Sequence, residues 1–270
     1  MSAPGRSSAT GSTVVSPDGT RIAFRTNGDG PPLVLVHGTT ADHARWAPVL
    51  PAFERHFTVL AVDRRGRGGS GDAEPYAVER EFEDVASVVD GAGGPACLLG
   101  HSYGAMCALE AALLTENVER LVLYEPPLGM VGAPPEIVRR LEELLAAGER
   151  DELVGLFMAE VAGAPPEQVE LMRSLPAWQA RLAVAHTIPR ELRSEGAYAF
   201  DAARFSELHV PTLLLRGDQS PPAFAAAAET AAAALPDSRL VVMPGQGHVA
   251  MDTGTELFTA EVLRFLGTRG

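Results

Sequence analysis

The 270-residue sequence contains no lysine, so arginine supplies all 22 of its basic residues. This absence excludes chemistry that needs a lysine amine, namely Schiff-base formation, phosphate binding by a P-loop and kinase-type phosphate anchoring. With 35 acidic residues, the formal net charge is −13. Nucleic acids and anionic membranes bind basic surfaces, so we expect neither as a partner.

Cysteine and long apolar runs are also scarce. The two cysteines, Cys97 and Cys107, lie among apolar residues and are predicted to be packing residues rather than a redox pair. No stretch has the roughly 18 uninterrupted apolar residues that a membrane-spanning helix needs. Residues 1–12 lack the basic-then-apolar order of a signal peptide and are predicted to form a disordered tail. We therefore expect a cytoplasmic protein.

Hydrophobic patterns divide the chain into a sheet-forming part and a helical part. Between residues 31 and 127, runs of valine and leucine alternate with helical patterns, which predicts parallel strands covered by helices on both faces. An Asp18-Gly19 turn between two short alternating runs predicts a β-hairpin before them. Residues 128–209 show helical patterns only, and strand patterns resume after them. The predicted fold class is therefore α/β, with a mostly parallel central sheet interrupted by a helical insert.

The sequence GHSYG, residues 100–104, matches the pattern Gly-x-Ser-x-Gly between a predicted strand and a small-residue helix. In such a strand-to-helix turn, the two glycines leave room for a strained backbone, and Oγ of Ser102 projects above the sheet. The N-terminal end of the following helix favours negative charge at this position. We predict that Ser102 is a nucleophile, and a chance match to the pattern is the alternative.

A serine hydroxyl needs a base to remove its proton, and histidine titrates near neutral pH. Among seven histidines, His248 alone combines a position after the last predicted strand with a glycine-bracketed loop. We predict that His248 is the base, with a packing histidine as the alternative. The sequence motifs leave two candidates for the acid that orients His248. Asp218 and Glu125 each follow a predicted strand, and both satisfy the chain order serine, acid, histidine.

The sequence VHGTT, residues 36–40, ends a predicted strand in small residues. Such a turn can direct a backbone N–H toward the nucleophile. The N–H groups of Thr39 and Tyr103 are predicted to form an oxyanion hole, which stabilises the negative charge of a tetrahedral intermediate. The alternative is an ordinary strand-to-helix turn, with His37 as a bracing residue in either case.

Four motifs in this order resemble those of the α/β-hydrolase superfamily: VHGTT, DRRGRGGSG, GHSYG and GQGHVAMD. The resemblance covers residues 13–268 and implies a triad of serine, histidine and acid with an oxyanion hole of two backbone amides. It also implies that the helical insert is a cap placed after the sixth strand. The domain organisation expected on this basis is a tail of residues 1–12, a core of residues 13–127 and 210–270, and a cap of residues 128–209.

The position of the triad acid departs from the commonest pattern of this superfamily. Members commonly carry the acid three residues after the strand-ending glycine, where this chain has Ser220, and Asp218 lies two residues earlier. In some relatives the acid lies at the end of the sixth strand, where this chain has Glu125. We favour Glu125 over Asp218. For either carboxylate, a loop cap or a salt-bridge partner is the alternative.

The cap and the loops near the serine are expected to supply the substrate pocket. For each candidate, core packing is the alternative. The candidates are Trp46, Met158, Trp178 and Met251, with His43, Phe157 and His186 as further ones. A modest apolar pocket of this kind favours a small or medium acyl group.

The expected activity is hydrolysis of an ester, lactone or thioester of a small-molecule substrate through an acyl-enzyme, with neither a metal nor an organic cofactor. The fold alone does not select this reaction. Carbon–carbon bond hydrolysis, cofactor-free perhydrolysis and a lyase or cyclase step stay open on the same scaffold. A non-catalytic ligand-binding protein is the alternative from another functional class.

Overall fold

A computed structural model describes residues 10–267 of the chain, and an eight-stranded sheet lies at the centre of this part. The strands are β1 (Thr10–Val15), β2 (Arg21–Asn27), β3 (Pro32–Val36), β4 (Thr58–Val62), β5 (Ala96–His101), β6 (Val118–Tyr124), β7 (Thr212–Gly217) and β8 (Ser238–Met243). Their order across the sheet is β1-β2-β4-β3-β5-β6-β7-β8. β2 pairs antiparallel with both β1 and β4, and every other neighbouring pair is parallel. This arrangement confirms the predicted α/β fold with a mostly parallel sheet.

The central strands are apolar throughout because both faces of the sheet are covered. Successive side chains of a strand point to opposite faces. Accordingly, Val34 of β3 belongs to one hydrophobic cluster and its neighbour Leu33 to another. The same division holds in β5, where Leu98 joins the cluster of Val34 and Leu99 that of Leu33. The strands with continuous valine and leucine runs are therefore buried on both faces of the sheet, as the sequence predicts.

Eleven α-helices lie within residues 10–267: α1 (Leu50–Phe53), α2 (Val78–Asp90), α3 (Tyr103–Ala111), α4 (Pro135–Ala147), α5 (Arg150–Leu156), α6 (Pro166–Arg173), α7 (Ala177–Ala183), α8 (Ile188–Ala197), α9 (Pro222–Ala234), α10 (Ala250–Thr253) and α11 (Thr255–Leu266). α2, α3 and α9 pack on one face of the sheet, and α1 and α11 pack on the other. None of the eleven is both long and apolar enough to span a lipid bilayer.

The helical segment, residues 128–209, contains α4 to α8 and lies between β6 and β7 in the chain. All of its residues are described, and none of them is in a strand, as the sequence predicts. The segment has a hydrophobic cluster of its own, which includes Leu141, Leu153 and Ile188. The segment therefore has a core of its own, while Leu128, Phe205 and Leu208 near its two ends pack in a cluster of the sheet.

Residues 41–57 have a helical pattern that prolines interrupt, and they form only a 3-10 turn (His43–Trp46) and α1, since Pro48 and Pro51 lack the N–H that a continuous helix needs. Two other local features differ from the sequence expectations. The short helix α10 has no counterpart among the predictions. Residues 1–9 of the expected tail lie outside the described residues, whereas residues 10–12 form the start of β1. Both cysteines are buried and unpaired, as predicted.

Candidate active site

Ser102 stands in a strained turn between β5 and α3, with φ of 55° and ψ of −127°. A residue with a side chain rarely adopts such a backbone, which costs of order 1–3 kcal/mol and marks functional turns. A Cβ atom on Gly100 would lie 2.4 Å from the carbonyl oxygen of Gly104. One on Gly104 would lie 2.4 Å from the carbonyl oxygens of both Val36 and His37. The two glycines of GHSYG are therefore steric requirements of the turn.

The VHGTT loop passes directly beside this serine. β3 and β5 are neighbours, with Val36 paired to Gly100, so both chain segments leave the sheet at the same edge. A Cβ atom on Gly38 would lie 2.9 Å from that of Ser102. Tyr103 opens α3, so its N–H has no carbonyl partner within the helix. The structure thus brings Thr39 and Tyr103 to the same strand ends as the serine.

His248 and Glu125 form a close pair at this edge. Nδ1 of His248 lies 2.6 Å from Oε2 of Glu125, whose side chain is fully buried. The other carboxylate oxygen, Oε1, accepts hydrogen bonds from the backbone N–H of Gly217 at 2.7 Å and from Oγ of Ser220 at 2.6 Å. Glu125 also has a positive φ of 48°, directly after β6. Three polar groups, namely the His248 ring, the Gly217 N–H and the Ser220 hydroxyl, therefore hold one buried carboxylate in place.

Asp218 lies apart from this pair. Its side chain is exposed, and its Oδ1 accepts hydrogen bonds from the N–H of Gly245 at 2.8 Å and from the side chain of Gln219 at 3.0 Å. These contacts connect the loop after β7 with the loop after β8. Of the two carboxylates that the sequence leaves open, the structure places Glu125 against His248 and uses Asp218 as a loop cap.

The sequence patterns predict none of the contacts that three aromatic residues make with His248 and its loop. The Phe224 ring stacks on the imidazole with 4.5 Å between ring centroids. Nε2 of His101 donates to the carbonyl oxygen of His248 at 2.8 Å, and burial, together with nearby His248, lowers the pKa of His101 well below its usual value. Tyr124 donates its hydroxyl to the carbonyl oxygen of Gly247. Sequence patterns cannot predict these contacts, because each contact joins residues that are far apart in the chain.

His37 braces the VHGTT loop as a neutral ring. Its Nδ1 donates to the carbonyl oxygen of Gly38 at 2.8 Å, and its Nε2 accepts the backbone N–H of Arg64 at 3.3 Å. Only a neutral imidazole can donate at one nitrogen and accept at the other. Burial, followed by the charges of Arg64 and Arg67, lowers the pKa of His37 well below its usual value. The bracing role that the sequence predicts for His37 therefore has a defined geometry.

A buried charge network lies behind the serine turn. The Arg64 guanidinium sits 4.4 Å from the centroid of the Tyr103 ring and forms a two-pronged contact with Glu81 at 2.7 and 2.9 Å. Burial raises the pKa of Glu81, but Arg64 and Arg67 outweigh it and lower the value overall. Both arginines also bind Glu191 of α8. The arginines of the DRRGRGGSG motif thus connect the serine turn to the helical segment.

One group of side chains within residues 10–267 has the composition of a metal site: Asp42, His43 and Asp63. Their donor atoms already have partners in the chain. Nδ1 of His43 lies 2.7 Å from Asp63, whose carboxylate also accepts the N–H groups of His43 and Gly69. Asp42 accepts the N–H of Ala44 at the start of the 3-10 turn. These contacts describe a structural cluster that fixes the loop after β4.

The predicted apolar pocket residues are nearly fully buried. Trp46 and Met251 lie in the cluster on the α11 face of the sheet, and Met158 and Trp178 lie in the core of the helical segment. Phe157 joins the same core. His186 lines a cavity of about 350 Å³ together with charged side chains that include Glu142 and Arg193. This placement matches the core-packing alternative for the apolar candidates.

Comparisons with known proteins identify the family and the fold of the chain. The family model described as the alpha/beta hydrolase family matches residues 33–261. Among curated proteins, 2-(acetamidomethylene)succinate hydrolase of Mesorhizobium japonicum is 28% identical over 264 residues, which cover 91% of each chain.

Two solved structures are similar along the whole fold. An alpha/beta hydrolase from Sphaerobacter thermophilus has a TM-score of 0.85 and 40% identity, covering 94% of this chain and 100% of its own. The esterase RhEst1 from Rhodococcus has a TM-score of 0.74 and 27% identity, covering 98% of this chain and 100% of its own. The similarity therefore spans both the sheet-forming residues and the helical segment.

Proposed function

The chain belongs to the alpha/beta hydrolase family, and we propose that it is a serine hydrolase acting on an ester, lactone or thioester of a small to medium substrate. One observation carries the proposal. A fully buried carboxylate, Glu125, lies 2.6 Å from Nδ1 of His248, at the strand edge where Ser102 occupies a strained turn. A serine, an acid and a histidine, in this chain order, are the groups that acyl transfer needs.

Glu125 is the proposed acid of the triad. A carboxylate at Nδ1 holds the imidazole in the tautomer that leaves Nε2 free to accept a proton, and it stabilises the imidazolium that forms. The hydrogen bonds from Gly217 and Ser220 keep Glu125 in place while it does so. Asp218 has no contact with His248 and is proposed to act only as a loop cap.

The proposed reaction proceeds through an acyl-enzyme. His248 takes the proton of Ser102 as its Oγ attacks the carbonyl carbon, and the N–H groups of Thr39 and Tyr103 donate to the resulting oxyanion. His248 then protonates the leaving group. It next removes a proton from water, which attacks the acyl carbon and releases the acid and the free serine.

The helical segment is proposed to act as the cap over this site. Nη1 of Arg181 on α7 donates to Oγ1 of Thr40 at 2.7 Å, so the segment contacts the residue next to Thr39. Glu191 of α8 binds two arginines behind the serine turn. Both contacts favour a cap seated on the strand ends, with the substrate between it and the sheet.

The relatives support hydrolysis rather than another reaction on the same scaffold. The relative from Mesorhizobium japonicum is named as a hydrolase, and the structural neighbour from Rhodococcus is named as an esterase. A non-catalytic binding protein is disfavoured because a buried carboxylate is costly unless it is paired, and its partner here is the proposed base.

Covalent labelling with a fluorophosphonate tests the proposal. The wild-type chain should be labelled, and both Ser102→Ala and His248→Ala should lose the label. Ser174→Ala, which changes an exposed serine of the helical segment, is the matched control and should be labelled normally. A folded wild-type chain that takes no label and turns over none of a graded series of aryl esters would contradict the hydrolase function.

A further inference from the structure

Arg181 is a partly buried cation without a carboxylate partner. Among residues 10–267, no acidic side chain lies within 4.0 Å of its guanidinium, and its side-chain hydrogen bond goes to the hydroxyl of Thr40 at 2.7 Å. Burial, followed by the charge of Arg45, lowers the pKa of Arg181. A guanidinium removed from water is costly unless an anion accompanies it.

A second arginine lies in the same charged group. Nη1 of Arg45 binds Oδ2 of Asp252 at 2.7 Å, whereas Nη2 of Arg45 is buried without a hydrogen-bond partner in the described chain. Asp252 is the acid whose charge acts favourably on Arg181, and its side chain is 43% exposed. Two guanidinium groups thus lie near one half-exposed carboxylate, which only Arg45 binds directly, and the group carries an excess positive charge.

This positive group lies next to the proposed catalytic residues. Thr40, which Arg181 contacts, follows Thr39 of the proposed oxyanion hole. Asp252 lies on α10, which begins two residues after His248. The charge of Arg45 also acts on His101, whose ring lies 4.7 Å from that of His248. Three chain segments that border the site therefore place a cationic group beside it.

We propose that Arg181, together with Arg45, binds a carboxylate group of the substrate, so that the enzyme prefers esters or lactones that carry a free carboxylate. The inference rests on the proposed hydrolase function and adds the substrate class. Arginine binds a carboxylate through two parallel N–H donors, which gives both strength and orientation. Arg181 uses one donor nitrogen on Thr40, and Arg45 has a buried Nη2 without a partner.

Two aryl esters of equal chain length separate this role from a structural one. The neutral ester is p-nitrophenyl hexanoate, and the charged one is the mono-p-nitrophenyl ester of adipic acid. Wild-type enzyme should favour the charged ester. Arg181→Gln should lower kcat/KM for the charged ester about 10- to 100-fold more than for the neutral one, the effect of losing a hydrogen bond to a charged group. Arg181→Lys should retain part of the preference, because it keeps the charge.

Two further variants serve as controls. Thr40→Val removes the hydroxyl that Arg181 contacts and should affect both esters alike. Arg140→Gln makes the same arginine change on the exposed side of α4 and should affect neither. If Arg181→Gln lowers kcat/KM equally for both esters, Arg181 acts only on the oxyanion loop and the proposal is wrong.

A binding measurement keeps this inference separate from the hydrolase function. With the Ser102→Ala chain, adipate should bind with a measurable heat in calorimetry, and adipamide should bind at least tenfold more weakly. Arg181→Gln on the same background should remove this difference. Equal affinity for the acid and the amide overturns the carboxylate site even if hexanoate is hydrolysed. Absence of labelling by a fluorophosphonate overturns the hydrolase function even if adipate binds.

Discussion

Ser220 donates a hydrogen bond of 2.6 Å from its Oγ to Oε1 of Glu125. Ser220 lies three residues after Gly217, the last residue of β7, where the resemblance to the superfamily implies the triad acid. In this chain, that position holds a hydroxyl group that binds a carboxylate arriving from the neighbouring strand, β6. Glu125 and Ser220 thus follow the ends of two adjacent strands, β6 and β7. The carboxylate that contacts His248 comes from the end of β6.

Replacing the two carboxylates separately distinguishes their roles. Glu125→Gln should lower kcat about 10²- to 10⁴-fold, because the imidazole loses the charge that orients it and stabilises its protonated form. Asp218→Asn removes only a loop cap and should change kcat less than threefold, on the order of one neutral hydrogen bond. Steady-state kinetics on an aryl ester, with circular dichroism to verify folding, provide the measurement. Equal losses in the two variants would count against Glu125 as the acid.

The hydroxyl of Ser220 should contribute to turnover through Glu125. Ser220→Ala leaves the carboxylate with one fewer donor and should lower kcat about tenfold, the effect of one hydrogen bond to a charged group. Ser206→Ala, whose hydroxyl bonds only to a nearby backbone carbonyl, is the control.

A double variant tests whether a carboxylate at position 220, in the loop after β7, can replace that of Glu125. Adding Ser220→Asp to Glu125→Gln places a carboxylate beside the amide that replaces the native acid. We expect it to recover at least tenfold of the kcat lost by Glu125→Gln alone, since a charged hydrogen bond is worth about 1.5–3 kcal/mol. No recovery would show that only the β6 position orients His248.

The contact between the helical segment and the sheet should depend strongly on Glu191. Its Oε1 lies 2.5 Å from Nη2 of Arg64 and also binds Arg67, and all three side chains are buried. Glu191→Gln leaves a buried positive charge uncompensated and should lower the free energy of unfolding by about 3–5 kcal/mol. Urea denaturation measures this change. Glu229→Gln, an exposed change on α9, should leave the midpoint unaltered.

The pair of His43 and Asp63 should make stability depend on pH. The hydrogen bond to Asp63 raises the pKa of His43, with burial opposing it. Because the folded pKa lies above that of the unfolded chain, the stabilisation is complete below about pH 6.5 and disappears as the pH rises through the folded value. His43→Gln should therefore lower the free energy of unfolding more at pH 5.5 than at pH 9. His209→Gln, which changes an exposed histidine, should show no such difference.

Sequence patterns formed by neighbouring residues predict most of the fold. The valine and leucine runs predict strands buried on both faces, and the structure confirms them as parallel neighbours in the sheet. The glycines of GHSYG predict the turn around Ser102, since no other residue fits there. Pro48 and Pro51 interrupt the helical pattern between β3 and β4, and the chain forms two short helical pieces there.

The sequence by itself determined the α/β architecture, the serine turn and the loop that carries His248, because each depends on residues close together in the chain. Only the tertiary structure decided which carboxylate faces His248, since Glu125 and Asp218 both follow buried strands and differ in burial and in hydrogen-bond partners. It also decided that Arg181 reaches Thr40, 141 residues away. Contacts across such separations depend on how strands and helices pack, which no local pattern reports.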